Sequence, residues 1–275
     1  MSRVALIQTR TPATQAEAIA ELEPMVREAA AGGARLIATP EGSNLLQRDR
    51  AKLQSVLASP EDDALVRRMR ELAVELKVEI LIGSALVRRP DGQAANRSIL
   101  IRSDGSVAAT YDKIHMFDVD LPTGETARES HLYTPGAEAV VVDAEAGRIG
   151  LTICYDVRFP SLFRALSRAG AEIITVPAAF TRPTGEAHWE ILLRARAIEC
   201  GCYILAPAQG GFHADGRGTY GHTLVVGPWG EVVAKVDHDE PGVLLVDLDL
   251  AAVAKARNAI PALKNERTFT GPVAA

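Results

Sequence analysis

Three residues in this chain have side chains suited to covalent hydrolysis, and each falls where an apolar run gives out. Glu41 follows Leu-Ile-Ala-Thr-Pro, Lys113 follows Ala-Thr-Tyr-Asp, and Cys154 follows Leu-Thr-Ile. A thiol has a reference pKa of about 8.5, so near neutrality it needs a base before it can attack. A carboxylate can take that proton, and an ammonium can stabilise the negative charge that develops on a carbonyl oxygen. The backbone N–H of Tyr155 is a second candidate donor to that oxygen. Attack would leave a thioester, which water then hydrolyses. Taken singly, each residue has an ordinary explanation: a turn cap, a solvated charge, a small buried hydrophobe. Together they form a usable set.

The elements that must hold this set can be read in the same way. Ile149, Leu151 and Ile153 alternate as in a buried strand over 148–154 that ends at Cys154. Tyr155 to Phe159 make a tight turn, and Pro160 opens a helix to Gly170. A nucleophile on a strand-to-helix turn sits at a sharp corner with the following N–H groups facing its target. Upstream, Val4 to Gln8 is a strand. Thr14 caps a helix to Ala31, with Glu17 closing a capping box and Gly32-Gly33 as the stop. Arg35 to Thr39 is a strand ending at Pro40-Glu41-Gly42. Ser59-Pro60-Glu61 starts a helix to Leu76. Glu79 to Val87 and Arg97 to Ile101 form a hairpin, and Val107 to Tyr111 leads into Asp112-Lys113. Met116 to Pro135 has no clear period, and a long irregular stretch inside a compact domain is usually functional or disordered.

The second half repeats the alternation. Strands are expected over 140–143 and 172–177, a helix from His188 to Cys200, strands over 203–206, 220–226, 232–236 and 243–248, a short helix over 250–258, and an extended tail from about Lys264. No linker or composition shift interrupts the chain, so residues 1–275 read as one domain of two α/β halves. Strands apolar on both faces imply two stacked sheets covered outside by helices, with a three-layer doubly wound sheet as the alternative.

Composition narrows the function classes. With 47% hydrophobic and 24% charged residues the profile is that of a soluble globular protein, and a net charge of −5 offers no basic footprint for nucleic acid. No apolar run is long enough to span a bilayer, and the start Met-Ser-Arg-Val-Ala-Leu-Ile reads as a first strand. Three cysteines do not make a disulfide framework. Cys200 and Cys202 read as buried thiols in a reduced cytoplasm, and the six scattered histidines suggest no metal site. Gly210-Gly211 and Gly216-Arg217-Gly218 lack the phosphate-loop pattern and read as a hairpin loop.

Pro40-Glu41-Gly42, Tyr111-Asp112-Lys113-Ile114-His115 and the run from Gly150 through Cys154-Tyr155-Asp156-Val157-Arg158-Phe159-Pro160 resemble the three signature segments of the nitrilase superfamily of carbon–nitrogen hydrolases, in the same order. The resemblance covers Val4 to about Phe269. It implies a cofactor-free hydrolase with a four-layer αββα sandwich that dimerises through helices beside the Cys turn. It also implies Glu41 as general base, Lys113 as oxyanion stabiliser, Cys154 as nucleophile, and Glu129 as a second glutamate that positions substrate or water and tunes Lys113; Glu125 is the nearest competitor. The segments Pro177 to Thr181, Thr184 to Glu190 and Leu193 to Glu199 resemble the Nit branch of amidases. Within it, Ala-His-Trp-Glu before Arg-Ala-Arg-Ala-Ile-Glu is similar to the group that cleaves deaminated glutathione to 2-oxoglutarate and cysteinylglycine, with omega-amidases next. Both substrates offer a 2-oxo acid carboxylate. Arg158 could grip it, or could form an ion pair with Asp156 under the turn. Phe180 and Thr184, on the loop after the next strand, could line the acyl pocket. His188, at a helix start with Trp189, could line the leaving-group side. Arg196 and Glu199, one helical turn apart, could pair in the dimer interface.

Overall fold

The computed structural model describes residues 1–122 and 124–272, and its architecture is the αββα sandwich. One six-stranded sheet runs in the order Gly242–Leu248, Ser2–Gln8, Leu36–Ala38, Glu79–Arg88, Ala94–Ile101, Val107–Asp112. The other runs Val232–Lys235, Leu224–Val226, Tyr203–Ala206, Ile173–Thr175, Gly147–Leu151, Val140–Ala144. Each has three parallel strands at its centre, flanked by antiparallel ones. The two sheets thus repeat one topology.

Alternation along the strands assigns the layers. Val4, Leu6, Leu36 and Leu81 point into the core shared with the second sheet. Ala5, Ile7, Ile37 and Ile80 point the other way, against Ala18, Leu22, Val26 and Ala29 of helix Gln15–Ala31 and against Leu65, Met69 and Leu72 of helix Ala64–Leu76. Helices Pro160–Arg168 and Arg182–Cys200 cover the far side of the second sheet, through Phe163, Leu166, Trp189 and Leu193. Thr14 caps the first helix: its hydroxyl accepts from Glu17 N–H and donates to the Glu17 carboxylate at 2.6 Å.

Several boundaries differ from the sequence expectation, each for a local reason. The helix expected from Ser59 starts at Ala64, because the buried carboxylate of Asp63 accepts from Leu65 and Val66 N–H at 3.0 Å and takes over as cap. A seven-residue helix, Arg50–Val56, has one buried residue, Leu53, and so no period to read. The helix expected from His188 begins at Arg182; Pro183 and Gly185 weaken its first turn as a signal. Gly185 is needed there, since a Cβ would lie 2.3–2.6 Å from the Tyr220 ring. The expected strand over 220–226 is two. Gly218–Tyr220 pairs with Gly210–Phe212 as a hairpin, and Leu224–Val226 joins the second sheet after Gly221 and His222, both at positive φ. The stretch from Met116 to Pro135 contains a small hairpin, Asp118–Asp120 with Thr126–Arg128, and a 3₁₀ turn, Glu129–His131; Thr123 lies outside the described residues. The tail expected from Lys264 begins within a short helix, Ala262–Asn265. Glu266 then bonds Arg164 and Arg168, and Val273 to Ala275 lie outside the described residues.

Candidate active site

Strand direction brings the three chemical residues to one end of the sandwich. Leu36–Ala38 lies between two parallel neighbours. Val107–Asp112 is two antiparallel steps from Glu79–Arg88 and therefore runs the same way. Glu41 and Lys113 follow these strands, and Cys154 follows Gly147–Leu151 at the matching end of the second sheet.

The Glu41 turn is gripped by an irregularity in its neighbour. Between Ile82 and Ala85 the register with Ala94–Ile101 slips. Ser84 then accepts from Gly42 N–H on its hydroxyl and from Ser43 N–H on its carbonyl, each at 2.8 Å, while Ser84 N–H donates to Pro40 C=O. Gly83 lets the two sheets' strand ends touch: a Cβ there would stand 1.9 Å from the Thr39 carbonyl and 2.5 Å from Pro177.

Lys113 is held by its backbone to Asn96 and Gly136. Its ammonium, 2% exposed, donates to Glu41 Oε1 at 2.9 Å and lies 2.8–2.9 Å from both oxygens of Glu129. Asn96, a polar residue facing inward from an apolar strand, donates from Nδ2 to Glu41 Oε1 at 2.9 Å and to Glu129 Oε1 at 3.3 Å. The remaining oxygens are taken by backbone: Glu41 Oε2 accepts from Ala179 N–H at 2.9 Å, and Glu129 Oε2 from Phe117 N–H at 2.6 Å. Glu125 lines the same cavity but bonds Arg48 instead, at 3.4 Å.

Cys154 is not the last residue of a strand. The strand ends at Leu151, and Cys154 opens a 3₁₀ turn, Cys154–Arg158, at φ +50°. A left-handed backbone costs a non-glycine residue about 1 kcal/mol, so the surrounding bonds must hold it there. Cys154 N–H donates to Pro177 C=O at 2.9 Å, whereas Tyr155 N–H meets no backbone carbonyl among the described residues. The thiol shares one cavity wall with Glu41, Lys113 and Ala179, and the Glu41 carboxylate acts on it.

Electrostatics divides the protons. Burial pushes the Glu41 carboxyl up, but the Lys113 charge and its hydrogen bonds outweigh that and hold it below its ordinary value. Burial alone would neutralise Lys113; the charges of Glu129 and Glu41 keep it well above the usual lysine range. Burial and the neighbouring Glu41 charge push the Cys154 thiol well above its usual value. The resting arrangement is thus an ionised base, a fixed cation and a neutral thiol.

Above the sulfur opens a cavity of about 480 Å³. Glu41, Lys113, Glu129 and Cys154 lie at its wall with Tyr155, Phe180 and Thr184, and four arginines, Arg48, Arg50, Arg128 and Arg217, line it. Thr184 is in the first turn of helix Arg182–Cys200 rather than on a loop, its hydroxyl 2.8 Å from that of Thr181. Arg158 and His188 do not line the cavity. The Arg158 guanidinium packs over the Tyr155 and Phe180 rings, 5.8 and 5.7 Å from their centres, and meets His188 Nδ1 at 3.2 Å. Nor does Arg158 pair with Asp156, whose carboxylate is engaged by Tyr111, His115 and Ile153. Trp189 is buried, donating to His222 C=O at 2.9 Å, and Arg196 pairs with Glu199 at 2.8 Å within the chain. Asn96 and the four arginines were not singled out from sequence. Asn96 alone had a usable signal, as an amide among apolar strand residues.

The family model described as Carbon-nitrogen hydrolase matches residues 3–258. A relative named deaminated glutathione amidase, from Yersinia enterocolitica, is 42% identical over 97% of this chain and 93% of its own length. Among solved structures, the Caenorhabditis elegans NitFhit protein superposes with a TM-score of 0.87 at 32% identity. The match covers 97% of this chain but 65% of that longer one. Saccharomyces cerevisiae Nit3, a member of branch 10 of the nitrilase superfamily, superposes with a TM-score of 0.86 at 26% identity, covering 97% of both chains.

Proposed function

The chain belongs to the carbon–nitrogen hydrolase family and is an enzyme acting on carbon–nitrogen bonds; from that premise we propose that it hydrolyses the amide of deaminated glutathione to 2-oxoglutarate and cysteinylglycine. The observation that carries the reading is the meeting of Glu41, Lys113 and Cys154 under one cavity in a chain 42% identical to a deaminated glutathione amidase. In this scheme Glu41 takes the Cys154 proton as the sulfur attacks the amide carbonyl. The oxyanion is held by Lys113 Nζ and Tyr155 N–H. The proton passes to the leaving nitrogen, cysteinylglycine departs, and a 2-oxoglutaryl thioester remains. Glu41 then deprotonates water, which attacks the thioester and frees 2-oxoglutarate and the thiol. Glu129 and Asn96 hold Lys113 and Glu41 in place. The substrate carries two carboxylates, which the arginines at the cavity suit. No cofactor enters the scheme.

Measured as cysteinylglycine released, kcat/KM for deaminated glutathione is expected to exceed that for 2-oxoglutaramate, measured as ammonia, by about tenfold or more, because the dipeptide adds binding energy usable in the transition state. The reverse ratio would make the enzyme an omega-amidase. The proton assignments also set a pH profile. Glu41, depressed, stays ionised down through its ordinary value of 4.5; Lys113 and Cys154, raised, keep their protons past 9. A plot of kcat/KM against pH is therefore expected to be flat from about 5 to 9, falling only as Glu41 binds a proton at the acid end. An acid limb centred near neutrality would assign the base elsewhere.

Homodimerisation belongs to the same reading. It is supported by Ile191 and Ile198 on helix Arg182–Cys200 and by Trp229 on the turn that helix bonds, all more than half exposed. Three free thiols suit a reducing cytoplasm, and no helix among the described residues is long and apolar enough to cross a membrane.

A further inference from the structure

Directly behind the Cys154 turn lies a carboxylate that the scheme above does not use. Asp156 is fully buried, and four donors from two chain segments converge on it. Its Oδ2 accepts from Tyr111 Oη at 2.6 Å and from Ile153 N–H at 2.8 Å; its Oδ1 accepts from His115 N–H at 3.1 Å and from His115 Nδ1 at 2.7 Å. A carboxylate only accepts, so the His115 proton on that side is on Nδ1. Tyr111 is itself 1% exposed, and the His115 ring lies flat on Phe159, centroids 3.5 Å apart and planes 6° off parallel.

The placement of these donors matters more than their number. Ile153 precedes the nucleophile, while Tyr111 and His115 stand two residues to either side of Lys113. One side chain therefore ties the turn that carries the sulfur to both flanks of the residue that carries the ammonium. The Lys113 side chain meanwhile goes to Glu41 and Glu129. Among the described residues no other hydrogen bond joins the turn to these flanks: Cys154 N–H is bonded to Pro177, on a different strand end. We propose that Asp156 is a positioning residue that sets the spacing between the Cys154 sulfur and the Lys113 ammonium, so that the oxyanion forms within reach of both. The inference rests on the assignment of Cys154 and Lys113 made above.

The chemistry of the carboxylate supplies the test. In Asp156→Asn one oxygen becomes an NH₂ that faces two donors, and the backbone N–H groups cannot turn away. Misplacing a reacting group by about 1 Å can cost about 100-fold, so kcat for Asp156→Asn is expected to fall by about that much, with KM within about threefold. Tyr111→Phe removes the bond to Asp156 and the longer one accepted from Ile114 N–H at 3.3 Å, and guards against a misfolded Asn variant; its kcat is expected to fall about tenfold with the thermal midpoint within a few degrees of the wild type. The discriminating readout is alkylation of Cys154 by iodoacetamide, which needs the thiol and Glu41 but no oxyanion donor. It is expected to stay within about threefold of the wild type in both variants, since only the step that forms the oxyanion depends on that donor. A kcat near wild type in both variants would overturn the proposal. So would alkylation falling in step with kcat, because the defect would then lie in the thiol or the fold. Turnover surviving in Cys154→Ala would instead remove the nucleophile assignment underneath.

Discussion

Cys154→Ala is expected to lower kcat by about 10⁵-fold or more while leaving the protein folded, because no other group at the cavity can form the acyl intermediate. Within the described structure the other two thiols, Cys200 and Cys202, are buried and are absent from the cavity wall. The substitution removes one sulfur from a site where the thiol is desolvated beside an ionised carboxylate, so little stability goes with it. The thermal midpoint should move by only a few degrees, the scale on which about 1 kcal/mol shows in a domain. The counterpart in the wild type is direct. Brief exposure to deaminated glutathione, then acid quench and intact-mass measurement, should show an adduct equal to 2-oxoglutarate less one water, located on the peptide containing Cys154. The adduct should be missing in Cys154→Ala. An adduct on another residue, or turnover persisting in the variant, would remove the thioester from the scheme.

The residues that proved readable in the sequence share a physical property: their placement follows from local signals. An apolar run that stops at a polar residue marks a strand end, and in an α/β sandwich strand ends converge. Glu41, Lys113 and Cys154 could therefore be grouped before any fold was known. Glu129 could not be grouped that way, because it opens a 3₁₀ turn inside an aperiodic stretch and reaches Lys113 only through tertiary packing. Family resemblance and its place in a long irregular stretch single it out. Asn96 carries a signal as an amide among apolar strand residues, but its partners are set only when the Glu41 turn and the 129 turn meet it. Arg48 and Arg50 border a seven-residue helix with too little apolar pattern to recognise. Arg158 erred in the other direction. It is close to Cys154 in sequence, but the 3₁₀ turn swings its guanidinium over the Tyr155 and Phe180 rings, away from the cavity wall. Sequence proximity to a nucleophile is a poor guide when the intervening residues form a turn.

Lys113→Met is expected to damage the fold as well as the reaction, and the two losses can be separated by pH. Removing the ammonium takes away the proposed oxyanion donor, a change that costs about 10²- to 10³-fold in kcat. It also leaves two buried carboxylates, Glu41 and Glu129, without the cation that both bond, and breaking a buried pair this way costs about 3–5 kcal/mol. The sign of the pH dependence then inverts. In the wild type Glu41 has a folded pKa below its unfolded one, so the unfolded chain binds more protons; the stabilisation is present above the unfolded value near 4.3 and is lost as pH falls through the folded value. In Lys113→Met the bonds from Asn96 and Ala179 N–H remain, but the charge that offset desolvation is gone, and Glu41 is expected to be raised above its unfolded value instead. The folded state then binds the extra proton, and stability declines by up to about 1.4 kcal/mol for each pH unit gained between those two values. Urea denaturation at pH 5 and pH 7.5 should therefore show the gap between wild type and variant narrowing at the lower pH. Glu41→Gln in the Lys113→Met background should recover part of the stability at pH 7.5 without restoring turnover. A gap independent of pH would mean that the ammonium contributes by packing alone, and that the two carboxylates do not need its charge to remain buried.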